Sequence, residues 1–543
     1  MQLPLAIDKN GAIGLQTQIY RQIRQLILAS RLTPGFRVPA SRSLAAELGV
    51  SRNTIVLAYD RLISEGYLAT RPAGGTFVNA DLPDNAIQAL HRPDAAEAPV
   101  EPTSKHVDVC FQGRAHTVVS PDQGRVPIDF WVGRPDAALF PRQFWRQHTR
   151  RLLHRADANF TEYGNPAGLL RLRQAIATYL GPARGIAATA GQIIVVSGIQ
   201  QALNIVARML IRGGTRVVTE CPCYQGAAYV FESYGARLVP AEVDGDGLAV
   251  AGLPERGMAL AYVTPSHQFP LGHTLALERR FQLLDWARRT GAYIVEDDYD
   301  SDFRHHRAPL MALKGLDRDG SVIYLGTFSK ALGAGLRLGY MVLPPELVTS
   351  AVTIKALFDN GNAWLDQAVL AEFIASGAYE THLKRIRRIY LARRDCLTAS
   401  LARHFGDVSL TGLEGGMHLS WHVPPDWPTA LEIHARARRR GVGIYPLGMA
   451  AGYNYGRPGQ GDRTLILGYT ALSEDLIRQG VALVAEAIAV DHKAPDTVAS
   501  QPSVIYRPTT ISSQPRGSKR AVSPGRTSTV VASDSITAGP PIR

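Results

Sequence analysis

Lys330 is the residue of this chain whose surroundings point most directly to chemistry. It follows the apolar stretch 321–326, in the run Thr327-Phe-Ser-Lys-Ala-Leu-Gly-Ala-Gly-Leu-Arg337. A lysine amine at the end of a buried strand can lose its proton through desolvation and form a Schiff base with an aldehyde. Thr327, Ser329 and Arg337 offer hydroxyls and a guanidinium that can hold a phosphate. These residue types predict a site for an aldehyde that carries a phosphate group.

A carboxylate and a phenol follow a second apolar stretch, in Val295-Glu-Asp-Asp-Tyr299. Strand side chains alternate, so Asp297 and Tyr299 project to one face and Asp298 to the other. A pyridine ring that withdraws electrons needs a carboxylate at its nitrogen, and we expect Asp297 to supply it. We expect Tyr299 to donate to the phenolic oxygen of the ring, although an acidic loop without a ligand is the alternative. With the lysine, this pattern predicts pyridoxal 5'-phosphate (PLP) as the cofactor.

The turn Ser197-Gly198-Ile199 lies between a predicted strand and a predicted helix. Backbone amides at such a helix start bind phosphate, but many nucleotide-binding folds share the feature. No G-x-G-x-x-G pattern with a downstream acid follows a strand, which argues against a dinucleotide fold. Tyr224 follows the next predicted strand, where its ring could stack on the cofactor or pack in the core.

Length and composition indicate two or three globular domains. The chain has 543 residues, with 45% apolar and 20% charged residues. No stretch is apolar enough for a membrane helix and the start lacks a secretory pattern, so we expect a cytoplasmic protein with no membrane partner. The four cysteines do not suggest a disulfide framework or a zinc site, and we expect no bound metal.

Residues 126–490 alternate predicted strands with predicted helices. The strands are expected at 192–196, 215–218, 258–263, 292–295 and 321–325, and helices at 200–210 and 277–289. This order predicts an α/β domain with a mostly parallel sheet. Residues 81–125 are expected to be a linker, and the basic, Ser/Thr/Pro-rich residues 491–543 a disordered tail.

Residues 12–80 are expected to form a DNA-binding domain. Residues 1–80 carry nine Lys/Arg and four Asp/Glu, which favours a polyanionic partner. Predicted helices at 15–29, 41–48 and 51–65, followed by a hairpin at 67–78, match a winged helix-turn-helix whose third helix enters the major groove of double-stranded DNA. Residues expected to contact DNA are Arg42, Ser51, Arg52, Asn53, Thr54, Arg71 and Gly75. Ser51 as a helix cap and Arg52 as a solvated side chain are the alternatives.

Two sets of motifs resemble known families. Gly35-Phe-Arg-Val-Pro-Ala-Ser-Arg-Ser-Leu-Ala, Leu48-Gly-Val-Ser-Arg-Asn-Thr, Tyr59-Asp-Arg-Leu and Glu65-Gly-Tyr-Leu resemble the GntR DNA-binding domain. Tyr163-Gly-Asn-Pro-Ala-Gly, Ser197-Gly-Ile-Gln-Gln, Pro265-Ser-His-Gln-Phe-Pro-Leu-Gly272, Asp297-Asp-Tyr and Ser329-Lys330 resemble fold-type I aminotransferases, in their usual order. Together they resemble the MocR/GabR family of transcriptional regulators.

The resemblance implies further roles. Lys330 would carry the Schiff base, Tyr163 would reach the partner subunit's phosphate, and His267 and Gln268 would flank the cofactor ring. Arg463 would hold a ligand carboxylate, although a lone arginine before a strand is more often a surface residue. The family also implies a domain-swapped homodimer. Relatives that bind γ-aminobutyrate use an arginine where this chain has Gly226, so that ligand is disfavoured.

The function predicted from these features is a PLP-dependent transcriptional regulator that binds operator DNA and senses a small amino compound at Lys330. One alternative is an active aminotransferase with an accessory DNA-binding head. Another is that PLP itself is the signal.

Overall fold

The computed structural model describes residues 3–9, 11, 13–71, 74–80, 82, 125–154, 160–305, 310–457 and 459–489. The chain forms two compact units, residues 1–109 and 110–543, which are described separately. The predicted linker, apart from residues 82 and 125, and the whole predicted tail lie outside the described residues.

The N-terminal unit is the predicted winged helix-turn-helix. Its elements are α1 Leu15–Leu28, α2 Ser41–Leu48, α3 Arg52–Ser64, β1 Leu68–Arg71 and β2 Gly75–Val78, the two strands pairing antiparallel. Gly49 ends α2 with a φ of 61°, a left-handed conformation that suits glycine and turns the chain sharply toward α3. Ile23, Leu44 and Ile55 are buried in one core, which Leu3 joins. The packed unit therefore includes residues ahead of position 12.

The second unit is the predicted α/β domain. Its strands are β3 Ile128–Asp129, β4 Ile193–Val196, β5 Arg216–Cys221, β6 Cys223–Tyr224, β7 Arg237–Asp244, β8 Gly247–Leu248, β9 Met258–Val263, β10 Tyr293–Asp298, β11 Val322–Thr327, β12 Gly339–Val342, β13 Ser409–Thr411, β14 His418–His422, β15 Val442–Gly443, β16 Tyr445–Pro446, β17 Gly452–Tyr453 and β18 Thr464–Gly468. Its helices are α4 Arg142–Leu153, α5 Leu170–Arg184, α6 Ile199–Leu210, α7 Gln225–Ser233, α8 Leu277–Thr290, α9 Leu313–Leu316, α10 Pro345–Asp359, α11 Trp364–Ala375, α12 Ala378–Phe405, α13 Ala430–Arg439 and α14 Glu474–Ala489.

Eight strands form a large sheet in the order β4-β12-β11-β10-β9-β5-β7-β8. Strands β7, β5, β9, β10 and β11 pair in parallel, while β12 is antiparallel to both of its neighbours. All four residues of β4 are buried, as are most residues of β10 and β11. Strands covered on both faces need continuous apolar runs, which is why these segments could be found in the sequence.

Four further strands form a second sheet in the order β13-β14-β18-β16, which we call the small sheet. The long helix α12 packs on α14, and α13 also contacts α14. Trp421 of β14 and Leu465 of β18 contribute buried side chains to the same core as α12.

Strand pairing brings three loops to one edge of the large sheet. Gly339 of β12 pairs with Val196 of β4 on one side and with Thr327 of β11 on the other. A Cβ on Gly339 would lie 2.9 Å from the carbonyl oxygen of Gly326, so the close approach requires glycine. The parallel strand β10 ends beside β11, at Asp298. We call this border, formed by Val196, Asp298 and Thr327, the site edge.

Candidate cofactor site

Lys330 follows β11 at the site edge. Its Nζ donates a hydrogen bond to the carbonyl oxygen of Gly133 (3.2 Å) and lies 6.0 Å from the ring centre of Tyr299. Desolvation lowers the pKa of the Lys330 amine, and the carboxylates of Asp300 and Asp297 oppose that shift. A lower pKa leaves more of the amine in its neutral form, which is the nucleophile that an aldehyde requires.

Asp297 and Asp298 lie on opposite faces of β10, as predicted. Asp297 Oδ2 accepts a hydrogen bond from Tyr262 (2.7 Å), and its buried Oδ1 has no hydrogen-bond partner among the described residues. Burial raises the pKa of Asp297 to about 7, against the hydrogen bond from Tyr262. Asp298 instead forms a buried ion pair with Arg184 (2.8 Å). Of the two carboxylates, Asp297 therefore retains an acceptor to offer a ligand.

The turn from β4 into α6 is built as a phosphate site requires. Gly198 has a φ of 95°, and Ile199 begins α6, so the partial positive charge at the start of this helix can attract an anion. The guanidinium of Arg337 donates to the carbonyl oxygen of Ser197, and a Cβ on Gly198 would lie 3.1 Å from its Nη2. Ser197 Oγ accepts from Asn362 Nδ2 (2.9 Å).

The loop after β11 faces the same turn across β12. Thr327 Oγ1 accepts a hydrogen bond from the backbone amide of Ser329 (3.1 Å), which holds the start of the Lys330 loop. Arg337 is exposed and has a positive φ of 53°. The structure thus brings Ser197, Gly198 and Arg337 into direct contact and places Thr327 beside them through Gly339.

Tyr224 lies next to the site and is partly buried. Its hydroxyl accepts a hydrogen bond from Gln200 Nε2 (3.0 Å), and its ring meets Phe269 edge-on at 5.8 Å. A Cβ on Gly226 would collide with Gln200 and would lie 2.6 Å from the Tyr224 ring. An arginine at position 226 would therefore displace Gln200, and the expectation that γ-aminobutyrate is disfavoured stays a prediction.

His267 and Gln268 have different surroundings. His267 Nδ1 lies 3.0 Å from the Tyr299 hydroxyl and 2.9 Å from Asp300 Oδ2. The Gln268 side-chain amide donates to the carbonyl oxygen of Pro222, which follows β5 (2.8 Å), and its oxygen accepts from the backbone amide of Leu271 in its own loop (3.1 Å). His267 therefore contacts Tyr299, whereas Gln268 stabilises the loop that follows β9.

Arg463 and Tyr163 are not brought to Lys330. The Arg463 guanidinium donates to the carbonyl oxygens of Pro424 (3.1 Å) and Trp427 (2.6 Å), and Arg463 immediately precedes β18. Gly468, at the other end of β18, donates to the carbonyl oxygen of Phe130. The predicted carboxylate role of Arg463 therefore lacks geometric support. Tyr163 is 88% exposed, and its predicted role in a partner subunit stays a prediction.

In the N-terminal unit, the predicted DNA contacts are mostly exposed. Ser51 caps α3, accepting a hydrogen bond from the Thr54 amide (3.1 Å), so its alternative role as a cap is realised. Arg52 and Asn53 are exposed at the start of α3, and Arg42 at the start of α2. In the wing, Arg71 lies over the Phe77 ring (4.9 Å). Gly75 has a φ of 103°.

Two basic residues near these contacts were missed by the sequence analysis. Arg37 lies beside the wing, where a Cβ on Gly75 would be 3.0 Å from its Nε. Lys9 Nζ donates to the carbonyl oxygen of Gly49 in the turn before α3 (3.0 Å). The excess of basic residues in this segment was the available signal, but pairing of distant segments decides which of them lie together.

Comparison with known proteins agrees with this division. Residues 15–78 match the model of the bacterial regulatory proteins of the gntR family, and residues 127–449 match that of aminotransferases of class I and II. The probable rhizopine catabolism regulatory protein MocR of Rhizobium meliloti is 37% identical over 88% of this chain and 94% of its own length. The chain belongs to the MocR-type regulators.

One further relative matches most of the chain, and one solved structure matches its aminotransferase-like part. The pyridoxine biosynthesis transcriptional regulator PdxR of Corynebacterium glutamicum is 31% identical over 90% of this chain and 99% of its own. The kynurenine aminotransferase of Pyrococcus horikoshii, solved in complex with PMP, superposes with a TM-score of 0.63. It is 30% identical and covers 69% of this chain and 93% of its own. A MocR-type regulator thus pairs a GntR head with an aminotransferase-like body.

The residues at the site edge of this MocR-type regulator fit PLP. The buried, unpartnered Oδ1 of Asp297 can accept from a protonated ring nitrogen, and the turn at Gly198 with Arg337 can hold the phosphate. PLP is the cofactor of this regulator, whose head is a DNA-binding domain of the GntR family. Among the described helices, none combines the length and apolar character needed to cross a membrane.

Three further groups in the site were not predicted from the sequence. Gly133 accepts from Lys330, Asn362 donates to Ser197, and Phe269 places its ring edge-on to both Tyr224 and Tyr299. Gly133 and Asn362 are far from their partners in sequence and carry no motif. Phe269 belongs to the aminotransferase-like motif at 265–272, and its place in that motif was the only sequence feature that linked it to the site.

Proposed function

We propose that this MocR-type regulator senses an amino compound through PLP held by Lys330, and that the sensed state of the body alters operator binding by the heads. When bound, PLP supplies an electrophilic carbon that an amine can attack. Lys330 would hold the cofactor through its side-chain amine, which desolvation shifts toward the neutral form. A ligand can shift the arrangement of the protein only by its differential affinity for the two arrangements.

The roles of the chain's residues follow from their placement. Asp297 holds the ring nitrogen, and the pair Ser197 and Gly198, with Arg337, holds the phosphate. Tyr299 donates to the phenolic oxygen of the ring. The observation that carries the proposal is the unpartnered Oδ1 of the buried Asp297, on the same edge as the desolvated amine of Lys330. Burying a carboxylate oxygen without a partner is costly unless a ligand completes its hydrogen bonds.

The assembly is proposed to be a domain-swapped homodimer in the cytoplasm, where the operator is found. The exposure of Tyr163 supports a role for its hydroxyl in the partner subunit. Two heads would then read half-sites about one or more helical turns of DNA apart.

A second candidate is that PLP itself is the signal. It is supported by the hydrogen bonds of Arg463, which go to the backbone carbonyls of Pro424 and Trp427 and not to a site for a ligand carboxylate. PdxR, a relative, is named for the regulation of pyridoxine biosynthesis. In this case the apo and holo proteins would differ in operator affinity without any added amine.

The test combines two measurements on the full-length dimer. Absorbance of the bound cofactor is followed while a library of amines and amino acids is added, and binding to the DNA upstream of its own gene is measured in parallel. Amine sensing predicts that one class of amine changes both readouts, and that Lys330→Ala abolishes both changes. PLP sensing predicts a difference between apo and holo protein only. Repeated turnover with a keto acid at about 1 s⁻¹ or faster would instead favour an aminotransferase.

A further inference from the structure

His267 contacts two groups beside the proposed cofactor site, the hydroxyl of Tyr299 and the carboxylate of Asp300. A carboxylate oxygen accepts, so the 2.9 Å contact to Asp300 Oδ2 requires His267 Nδ1 to carry a hydrogen and donate it. The Tyr299 hydroxyl lies 3.0 Å from the same nitrogen and also interacts with Asp300. His267 and Asp300 are both buried. The direction of the Tyr299 hydroxyl therefore depends on where His267 is held.

Three glycines enclose the His267 ring. A Cβ on Gly272 would lie 3.0 Å from His267 Nε2, and a Cβ on Gly412 would lie 3.2 Å from it. A Cβ on Gly416 would collide with the ring and would lie 2.7 Å from Asp300 Oδ2. All three glycines have φ between 78° and 82°. Two of them belong to the segment 411–418, which connects β13 to β14 of the small sheet.

The same segment is bonded to the loops of the large sheet that carry His267 and Asp300. These hydrogen bonds run from Thr411 Oγ1 to the carbonyl of Leu271 (2.6 Å), from His418 Nε2 to the carbonyl of Pro270 (3.0 Å), from the Gly416 amide to the carbonyl of Phe303 (2.9 Å) and from the His305 amide to the carbonyl of Glu414 (3.2 Å). The His418 ring also meets the His267 ring edge-on at 4.8 Å. His267 thus sits where the cofactor site meets the small sheet.

His267 Nδ1, Asp300 Oδ2 and His418 Nε2 already take part in hydrogen bonds, whereas His267 Nε2 and His418 Nδ1 have no partner among the described residues. Possible ligand atoms of His267, Asp300 and His418 lie within 4.8 Å of one another. His267 Nδ1 and Asp300 Oδ2 are nevertheless at hydrogen-bond distance and share a hydrogen, whereas two ligands of a tetrahedral metal stand about 3.3 Å apart. His418 Nε2 must donate to a carbonyl oxygen, which only accepts.

We propose that His267 is a positioning residue that couples Tyr299 of the cofactor site to segment 411–418 of the small sheet. This rests on the proposed function, because it assumes that PLP contacts Tyr299. When Tyr299 gains a cofactor partner, its hydroxyl and His267 are held more rigidly. The glycine-lined segment around the imidazole is then held more rigidly as well. Occupancy of the cofactor site is in this way transmitted to the small sheet.

The proposal is tested by hydrogen exchange of the full-length protein with and without PLP, measured by mass spectrometry. In the wild-type protein, PLP should slow exchange in residues 197–210, where the phosphate binds, and by at least about threefold in segment 411–418. His267→Leu removes the ring nitrogens at similar volume. With PLP in excess, so that the variant is saturated, it should keep the slowing at 197–210 but lose the slowing at 411–418. His267→Asn, whose side-chain amide can replace Nδ1 as a donor to Asp300, should restore part of the effect.

A second variant reaches the same contact without changing a site residue. Gly416→Ala should displace the His267 ring and reproduce the result of His267→Leu. Gly291→Ala is its control, because Gly291 also has a positive φ (72°) but no neighbour within 4 Å of a Cβ. It should behave as wild type at 411–418.

The outcomes separate the two hypotheses. Failure of the wild-type protein to bind PLP would refute the proposed function. The coupling by His267 would be refuted if PLP-bound His267→Leu or Gly416→Ala kept the wild-type slowing at 411–418. It would also be refuted if His267→Leu folded but lost PLP, since His267 would then be a cofactor-binding residue. If His267→Leu does not fold, His267→Asn and Gly416→Ala decide the matter.

Discussion

Asp297→Asn should have opposite effects on the empty and the PLP-bound protein. Burial raises the pKa of Asp297 from 3.8 to about 7, and at about 1.36 kcal/mol per unit the ionised group costs the empty fold on the order of 4 kcal/mol at pH 8. Because the folded protein holds this proton more tightly than the unfolded chain, the cost grows as pH rises from about 4 to about 7. Asparagine carries no charge and can still accept from Tyr262. The empty variant should therefore be more stable than wild type, and more so at pH 8 than at pH 5.

The bound state should respond in the other direction. A hydrogen bond from a protonated ring nitrogen to a carboxylate contributes about 1.5–3 kcal/mol, so its loss should weaken PLP binding by about 10- to 100-fold. Thermal unfolding of apo and holo protein at pH 5 and pH 8, with PLP affinity from cofactor fluorescence, measures both effects.

Asp298→Asn is the matched control, because the carboxylate of Asp298 is adjacent in sequence but forms an ion pair with Arg184. It should destabilise apo and holo protein alike by about 3–5 kcal/mol. An Asp297→Asn variant that binds PLP as tightly as wild type, with no gain in apo stability, would refute the assignment of Asp297.

Three further substitutions test separate parts of the molecule. Arg52→Ala, at the exposed start of α3, should weaken specific DNA binding by about 10- to 100-fold in mobility shifts without changing the absorbance of bound PLP. Loss of both DNA binding and PLP absorbance would contradict the inference that the two units function independently. Gly198→Ala forces an alanine to a φ of 95° and places a Cβ against Arg337, so PLP affinity by fluorescence titration should fall about tenfold or more; an unchanged affinity would exclude this turn as the phosphate site. Arg463→Ala should leave PLP affinity and any amine response within about twofold, and a lost response would restore the carboxylate role of Arg463.

The large sheet could be predicted because its strands obey a simple rule. Strands β4, β9 and β11 are buried on both faces and are mostly apolar, and β10 begins with the apolar run Tyr293–Val295; all four lie within three residues of their predicted limits. The alternation of side chains also separated Asp297 from Asp298 correctly, since that argument needs only a local strand. The helix-turn-helix was equally local, because Gly49 and Ser51 mark the end of one helix and the start of the next.

The contacts that were missed, and those that leave a predicted role without support, join segments that are distant in the sequence. The sequence placed Arg463 before a strand, but only the pairing of β18 with β14 shows that its guanidinium meets the carbonyls of Pro424 and Trp427. The predicted place of Gln268 beside the cofactor ring stays a prediction, and the sequence did not show that its amide donates to the carbonyl oxygen of Pro222. Gly133 accepts a hydrogen bond from Lys330 although nearly two hundred positions separate them, and no motif around Gly133 predicts this contact.

The central claim is that Lys330 holds PLP covalently in a protein that also binds DNA. Its most direct test is borohydride reduction of the full-length protein incubated with PLP, followed by peptide mass spectrometry. A phosphopyridoxyl adduct on the peptide that contains Lys330, absent from Lys330→Ala, is the predicted result. Protein that gains no adduct there, or gains it equally on other lysines, would contradict the assignment.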